Sequence, residues 1–339
     1  MVDLATLAVT EKGGGVMRRF PCIAMVVTVL LVLLVHAALA AEKELQAVSL
    51  LPKNHPLAIM IAEWVNRIND YCQGELRVKY LGGPEVIPPQ EQIKALREGL
   101  VQITFSRTTD YEPFLPEAIA IPLSKITPWE ERRPGGFYDL MVERHRTINT
   151  VYLGRWLHGP SYIWLKDNAR TPGELKGRKL QISAPYGRFM TALETVPVPI
   201  SIAETSTALK NGIVEGAGWP LLGVRELGWT ETLKYVIDHP FYTQNRTILM
   251  NLDTWTGLPQ SLQEKIRNIT AWFEPYMVGY FDSAISMEWR EFQKAGGKKI
   301  RFSSSDAKSF LDTAYDVEWK ALEEKAPGLV PLLRKLTAY

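Results

Sequence analysis

The chain has 339 residues, 46% of them hydrophobic and 22% charged, with 39 basic against 37 acidic side chains and two cysteines. That much apolar matter with so little net charge excludes an intrinsically disordered chain, and two cysteines exclude a disulfide scaffold. No long block of one sign is present, which excludes an extended nucleic-acid surface, and the length asks for two domains, since one core rarely grows past roughly 250 to 300 residues.

At the start of the chain, Arg18 and Arg19 precede an apolar run from Ile23 to Val35 that leads to Ala38, Leu39 and Ala40. This order is that of a secretory signal peptide occupying residues 1–40, with Met17 the expected true start and cleavage expected after Ala40. A membrane-spanning helix would need about 20 apolar residues, and this run is shorter. Removing residues 1–40 takes away three basic and two acidic residues, so 339 − 40 = 299 residues remain with 36 basic and 35 acidic side chains. Only Cys72 is then left, at the end of an apolar helix stripe, and it reads as a small buried hydrophobe.

Downstream, Leu45 to Leu51 reads as a buried strand and Pro52 to His55 as a turn, and Pro56 opens a helix. Leu57, Met60, Ile61, Trp64, Val65 and Ile68 recur at three- and four-residue spacing, and Gly74 is the expected stop. Leu76, Val78 and Tyr80 alternate with Arg77 and Lys79, the period of a strand with one wet face. A helix from Pro89 to Glu98 and a strand from Val101 to Phe105 complete a βαβ pattern, whose ligand-binding loops lie at the carboxyl ends of the strands. The pattern resumes with a strand at Lys179 to Ser183 and helices at Phe189 to Glu194 and Glu204 to Asn211. Residues Pro259 to Gln293 are helix-compatible for about nine turns, with Pro275 an expected kink, and a helix of that length can bridge two lobes. A strand at Lys299 to Phe302 and an amphipathic helix from Ser305 to Lys325 follow. The expected fold is therefore α/β with two lobes: residues 41–157 plus 245–285 in the first, and 158–244 plus 286–339 in the second.

Catalytic signatures are missing. The sequence has no Gly-x-Ser-x-Gly elbow, no His-Glu-x-x-His and no Walker-type loop, and Gly216 and Gly218 are followed by Leu221 where a dinucleotide fingerprint needs its third glycine. His55, His145, His158 and His239 do not lie at metal-ligand spacing from one another. Neither an enzyme, nor a metal site, nor a cofactor is expected.

Three segments carry a family resemblance. Glu174-Leu-Lys-Gly-Arg-Lys-Leu180 is similar to a "D-L-K-G-x-K-I" opening of a second lobe. Thr207-Ala-Leu209 with Gly212-Ile-Val-Glu-Gly216 and Pro220 resembles "A-L-x-x-G-x-V-D-G-x-x-x-P", and Trp255, Leu258, Pro259, Leu262 and Gln263 resemble "W-x-x-L-P-x-x-L-Q". Together with Gly82 to Pro84 and Glu98 to Leu100, these resemble the TRAP-type (tripartite ATP-independent periplasmic) solute-binding proteins, the DctP family. The resemblance implies a periplasmic receptor with the periplasmic-binding-protein fold, a hinge and a long bridging helix. Its expected partners are a small organic solute, an organic or aromatic acid, and the small and large membrane subunits of a transporter. The receptor itself is expected to be a monomer with no cofactor.

The sequence also departs from the family. Where the resemblance places an arginine that binds the solute carboxylate, this chain has Gln181, and a neutral amide cannot supply a charge-assisted fork. A family asparagine is replaced by Trp219, and a second family arginine falls at Ser161. The candidate ligand residues are Asn54, Arg107, Trp156, Ser161, Gln181, Tyr186 and Trp219, with Tyr162 expected to face the cleft and Trp164 to point away from it. Two accounts of the cleft stay open: Arg107 binds an acid between aromatic walls, or the aromatics cage an amine or neutral solute with Asp110 or Glu112 as counter-charge. A receptor that presents its ligand to a membrane kinase would share the same fold.

Overall fold

The computed structural model describes residues 42–338; the expected signal peptide and its cleavage site lie outside the described residues. The strands are β1 (Lys43–Ser49), β2 (Leu76–Gly82), β3 (Ile103–Ser106), β4 (Thr150–Leu157), β5 (Pro160–Leu165), β6 (Lys179–Gln181), β7 (Val196–Val198), β8 (Gly216–Pro220), β9 (Tyr235–Ile237), β10 (Phe241–Thr243), β11 (Arg246–Asn251) and β12 (Lys298–Ile300). Among the helices, α1 (Ile59–Tyr71), α2 (Pro89–Arg97), α3 (Ala120–Leu123), α4 (Pro128–Glu131) and α5 (Phe137–Arg146) precede β4. They are followed by α6 (Gly187–Ala192), α7 (Ile202–Lys210), α8 (Leu252–Thr256), α9 (Gln260–Lys294), α10 (Ser304–Lys325) and α11 (Val330–Thr337).

These strands form two mixed sheets. The first has the order β2-β1-β3-β11-β4, and the second β12-β9-β5-β8-β6-β7 with β10 added beside β5. The βαβ units pair in parallel as their pattern requires, β1 with β3 and β6 with β7 and β8. In contrast, β11 runs antiparallel to both β3 and β4. The chain passes from the first sheet to the second between β4 and β5 and returns between β10 and β11.

Local chemistry explains the elements. The α1 stripe of Met60, Ile61, Trp64, Val65 and Ile68 is buried, and the helix gives way at the Cys72 cap, before the expected stop at Gly74. Cys72 is fully buried, and burial pushes its thiol pKa up, so it behaves as a hydrophobe. All eight residues of β4 are buried because its faces serve different clusters: Tyr152 packs in one, while Val151, Leu153 and Trp156 pack with α1 and α9 in another. Such a strand shows no alternation. Gly83 is required at the turn after β2, where any Cβ would overlap the Leu51 backbone carbonyl.

The long helix α9 remains continuous through Pro275. Its residues Leu262, Ile266, Phe273, Met277 and Phe281 belong to the core of the first sheet, whereas Ile285, Trp289 and Phe292 pack in the cluster under β5, β8 and β9. At its middle, Glu274 accepts from Arg132 Nε at 2.6 Å and from the Arg155 backbone N–H at 2.9 Å, while Arg132 Nη2 donates to the Leu153 carbonyl. Gly154, at φ +153°, lets this carboxylate approach, since a Cβ there would collide with Glu274 and Arg132. The C-terminal helices close the fold, α10 against α6 and β10, and α11 against α3 and α5.

Removing one partner of a buried ion pair strands the other. Glu274→Leu should therefore destabilise the protein by about 3–5 kcal/mol, read as a lower urea midpoint, whereas exposed Glu91→Gln should change it by less than about 0.5 kcal/mol. An unchanged midpoint in Glu274→Leu would show that this pair does not anchor α9.

Candidate functional site

A cavity of about 350 Å³ lies between the carboxyl end of β1, the segment after β3, the end of β4, the segment before α6, the start of α7 and the end of β8. Its walls are mostly apolar, with Leu50, Leu51, Leu57, Trp156, Ile202 and Trp219 as the main contributors. Two arginines, Arg107 and Arg246, line it together with His55, Ser183, Tyr186 and Gln244. A hollow of about 430 Å³ beside Trp319 and Arg334 lies instead among α10, α11 and residues 123–125.

The two arginines are neighbours for a reason of register. Thr247 pairs with Ser106 in the antiparallel ladder of β11 and β3, so one step further along Arg246 stands opposite Arg107. Arg107 is already engaged. Its Nη2 lies 2.8 Å and its Nε 2.9 Å from Asp110 Oδ1, and its backbone N–H donates to Oδ2. Arg246 has no carboxylate partner among the described residues. Its Nη2 donates to Gln244 Oε1 at 2.6 Å, and Gln244 Nε2 donates to Ser161 Oγ and Tyr186 Oη, each at 2.7 Å. Burial pulls the Arg246 pKa down to about 10, and the Arg107 charge adds to that effect, so the guanidinium remains charged at neutral pH.

His55 caps the turn that opens α1, accepting from the Leu57 N–H through Nδ1. Burial lowers its pKa, which leaves it neutral at pH 7. Two carboxylates near the cavity are occupied: Asp110 by Arg107, and Glu112 by Arg188 at 2.5 Å and Lys325 at 3.0 Å. Among the described residues, the indole N–H of Trp156, a residue with no exposed surface, has no hydrogen-bond partner, and neither has that of Trp219.

Of the residues singled out in the sequence, Arg107, Trp156, Tyr186 and Trp219 line this cavity. Ser161 is fully buried behind Tyr186 and reaches the site only through the Gln244 network. Gln181 points its amide Nε2 at the Ile182 and Ile200 carbonyls and is absent from the lining. Asn54 is exposed on its turn, while its neighbours Pro52 and His55 line the cavity. Tyr162 does not face the cleft: residues 162 and 164 share one face of β5, and both rings pack on Trp289. Arg246 and Gln244 went unnoticed in the sequence, although Gln244-Asn245-Arg246 is a polar run between apolar β10 and the buried Ile248-Leu249-Met250.

Sequence comparison decides the family. The model of the bacterial extracellular solute-binding proteins, family 7 (DctP), matches residues 47–325. The chain belongs to this family. Among its relatives is a monocarboxylate 2-oxoacid-binding periplasmic protein of Nostoc, 22% identical over 271 residues that cover 77% of this chain and 73% of the relative. Solved structures of similar fold include a TRAP periplasmic solute-binding protein of Desulfovibrio salexigens with bound orotic acid, at TM-score 0.74 and 19% identity, covering 87% of this chain and 97% of that one. Another, from Roseobacter denitrificans with bound β-D-glucuronate, has a TM-score of 0.73 at 16% identity, covering 87% and 99%. The DctP proteins are periplasmic solute receptors rather than enzymes, and no helix among the described residues is long and apolar enough to cross a membrane.

The Gln244 network gives a stability test. Gln244→Leu removes its three hydrogen bonds and leaves Ser161, Tyr186 and Arg246 short of partners, so the urea midpoint should report a loss of about 1–3 kcal/mol. A loss below about 0.3 kcal/mol would mean that water replaces the amide at no cost.

Proposed function

We propose that this DctP protein is the receptor of a TRAP transporter, that it binds a small organic acid in the cavity between its two sheets, and that it hands the acid to the small and large membrane subunits. The observation that carries the acid reading is the charge balance of the cavity: it holds two arginines, and the nearby carboxylates Asp110 and Glu112 are both engaged by cations. An amine would find aromatic walls and no free counter-charge, and would meet a half-buried guanidinium instead. The Nostoc relative, a receptor for monocarboxylate 2-oxoacids by its name, supports the same class. Family membership supports the transport role, and hinge closure of two lobes around a ligand is the expected means of capture.

Thermal denaturation of the mature chain tests this reading. A hundredfold excess of ligand over Kd stabilises by about 2.7 kcal/mol and should raise the midpoint by roughly 5 °C in a protein of this size. Members of a panel of 2-oxoacids, aliphatic acids and aromatic acids should produce such shifts, whereas the matching amines should produce none. Shifts with amines alone would refute the acid reading.

A further inference from the structure

We propose that Arg246 is the residue that holds the solute anion, and that the site is built for one carboxylate on an apolar body, discriminating against dicarboxylates and polyhydroxylated acids. This inference rests on the receptor reading above and adds to it the substrate class and the residue that sets it.

The charges support it directly. Asp110 accepts three contacts from Arg107, which cancels that cation and uses its fork. Directly across the β3–β11 ladder, Arg246 faces the same cavity with one hydrogen bond, to a neutral amide. A guanidinium has five N–H donors, so most of those on Arg246 remain for a ligand, in a geometry that fits a carboxylate bidentately. Leaving a half-buried cation without an anion is costly, and partial desolvation depresses its pKa in the direction that this cost implies. A single bound carboxylate offsets the cost. A second carboxylate would find no uncompensated cation, because His55 is neutral and Arg188 is held by Glu112 and Glu318.

The walls decide the rest of the solute. Leu50, Leu51, Leu57, Ile202 and Trp219 offer apolar surface, and the amide of Gln244 is committed to Arg246, Ser161 and Tyr186. A sugar acid would therefore lose water from several hydroxyls with few partners to replace it.

Calorimetry on the mature chain with 4-methylpentanoate, phenylacetate, succinate, gluconate and isopentylamine tests the proposal. 4-Methylpentanoate or phenylacetate should bind at least about tenfold more tightly than succinate or gluconate. Arg246→Gln should weaken binding of the better monocarboxylate by at least about tenfold, the scale of a charge-assisted hydrogen bond. Gln244→Glu places a carboxylate beside the Arg246 guanidinium and should weaken binding similarly while the melting midpoint is retained, which separates charge from folding.

Unchanged affinity in both Arg246→Gln and Gln244→Glu would overturn the role of Arg246. Tighter binding of succinate or gluconate, with the loss in Arg246→Gln preserved, would overturn the substrate class and leave the receptor reading standing. Binding of isopentylamine with no response to any acid would overturn both.

Discussion

The structure hangs on one buried carboxylate. Glu274 lies inside the protein and is satisfied only when three separate segments meet: the Arg132 guanidinium after α4, the backbone of β4 at Arg155, and the middle of α9. An isolated carboxylate there would be costly enough to disfavour any packing that left it unpaired. The contact therefore sets the register of α9 along the first sheet. Because α9 is 35 residues long, its far end then delivers Ile285, Trp289 and Phe292 to the second sheet. With the strand passages on either side of residues 158–159 and 244–245, this helix ties the two sheets at a defined spacing, and the cavity occupies the gap so defined.

Within that gap, two arginines and one carboxylate make the chemistry. The antiparallel register of β3 and β11 places both arginines just beyond its last pair, Thr247 and Ser106, an arrangement that repulsion would oppose if both charges were free. Asp110, three residues after Arg107 in a tight turn, neutralises only its own neighbour. One net positive charge thus remains in an apolar cavity, held in place by a Gln244 amide that is itself oriented by Ser161 and Tyr186. Ser161 lies behind the walls while Tyr186 and Gln244 share the lining, and the charge that the network presents to the cavity is a fixed cation.

Much of the fold was legible because its helices are amphipathic and its outer strands alternate. The stripe of Met60, Ile61, Trp64, Val65 and Ile68, the βαβ order and the long helix were all readable by period. The strands at the junction of the sheets were not. Residues 150–157 are buried on both faces and carry no alternation, and β8 to β11 are short and interrupted by turns. The site divided in the same way. Arg107 and Tyr186 follow recognisable strands, so their lining positions were readable from topology, whereas Trp156 and Trp219 lie on strands that were not. Arg246 required the register between two strands distant in sequence, and register is a tertiary fact. Gln181, read as the occupant of a family ligand position, spends its amide on the Ile200 carbonyl instead.

On the proposed placement, with the anion on β11 rather than β6, what can close the cleft changes. A carboxylate on β6 would bind the second sheet, whereas one on Arg246 sits at the passage between β10 and β11 and adds little pull across the gap. Among the groups facing across it, Trp219 and Ile202 on the second-sheet side are apolar, and Ile202 is 42% exposed. The ionic link from α6 to the segment after β3, Arg188 to Glu112, has an arginine side chain 38% exposed, so solvent screens it. Closure then draws on apolar area removed from water, about 25 cal/mol for each Å². With the carboxylate on Arg246, the apolar body of the solute supplies that area. On that proposal, a hydrophilic acid satisfies the arginine and still leaves Trp219 and Ile202 with nothing to close on, so selectivity would reside in closure as much as in capture.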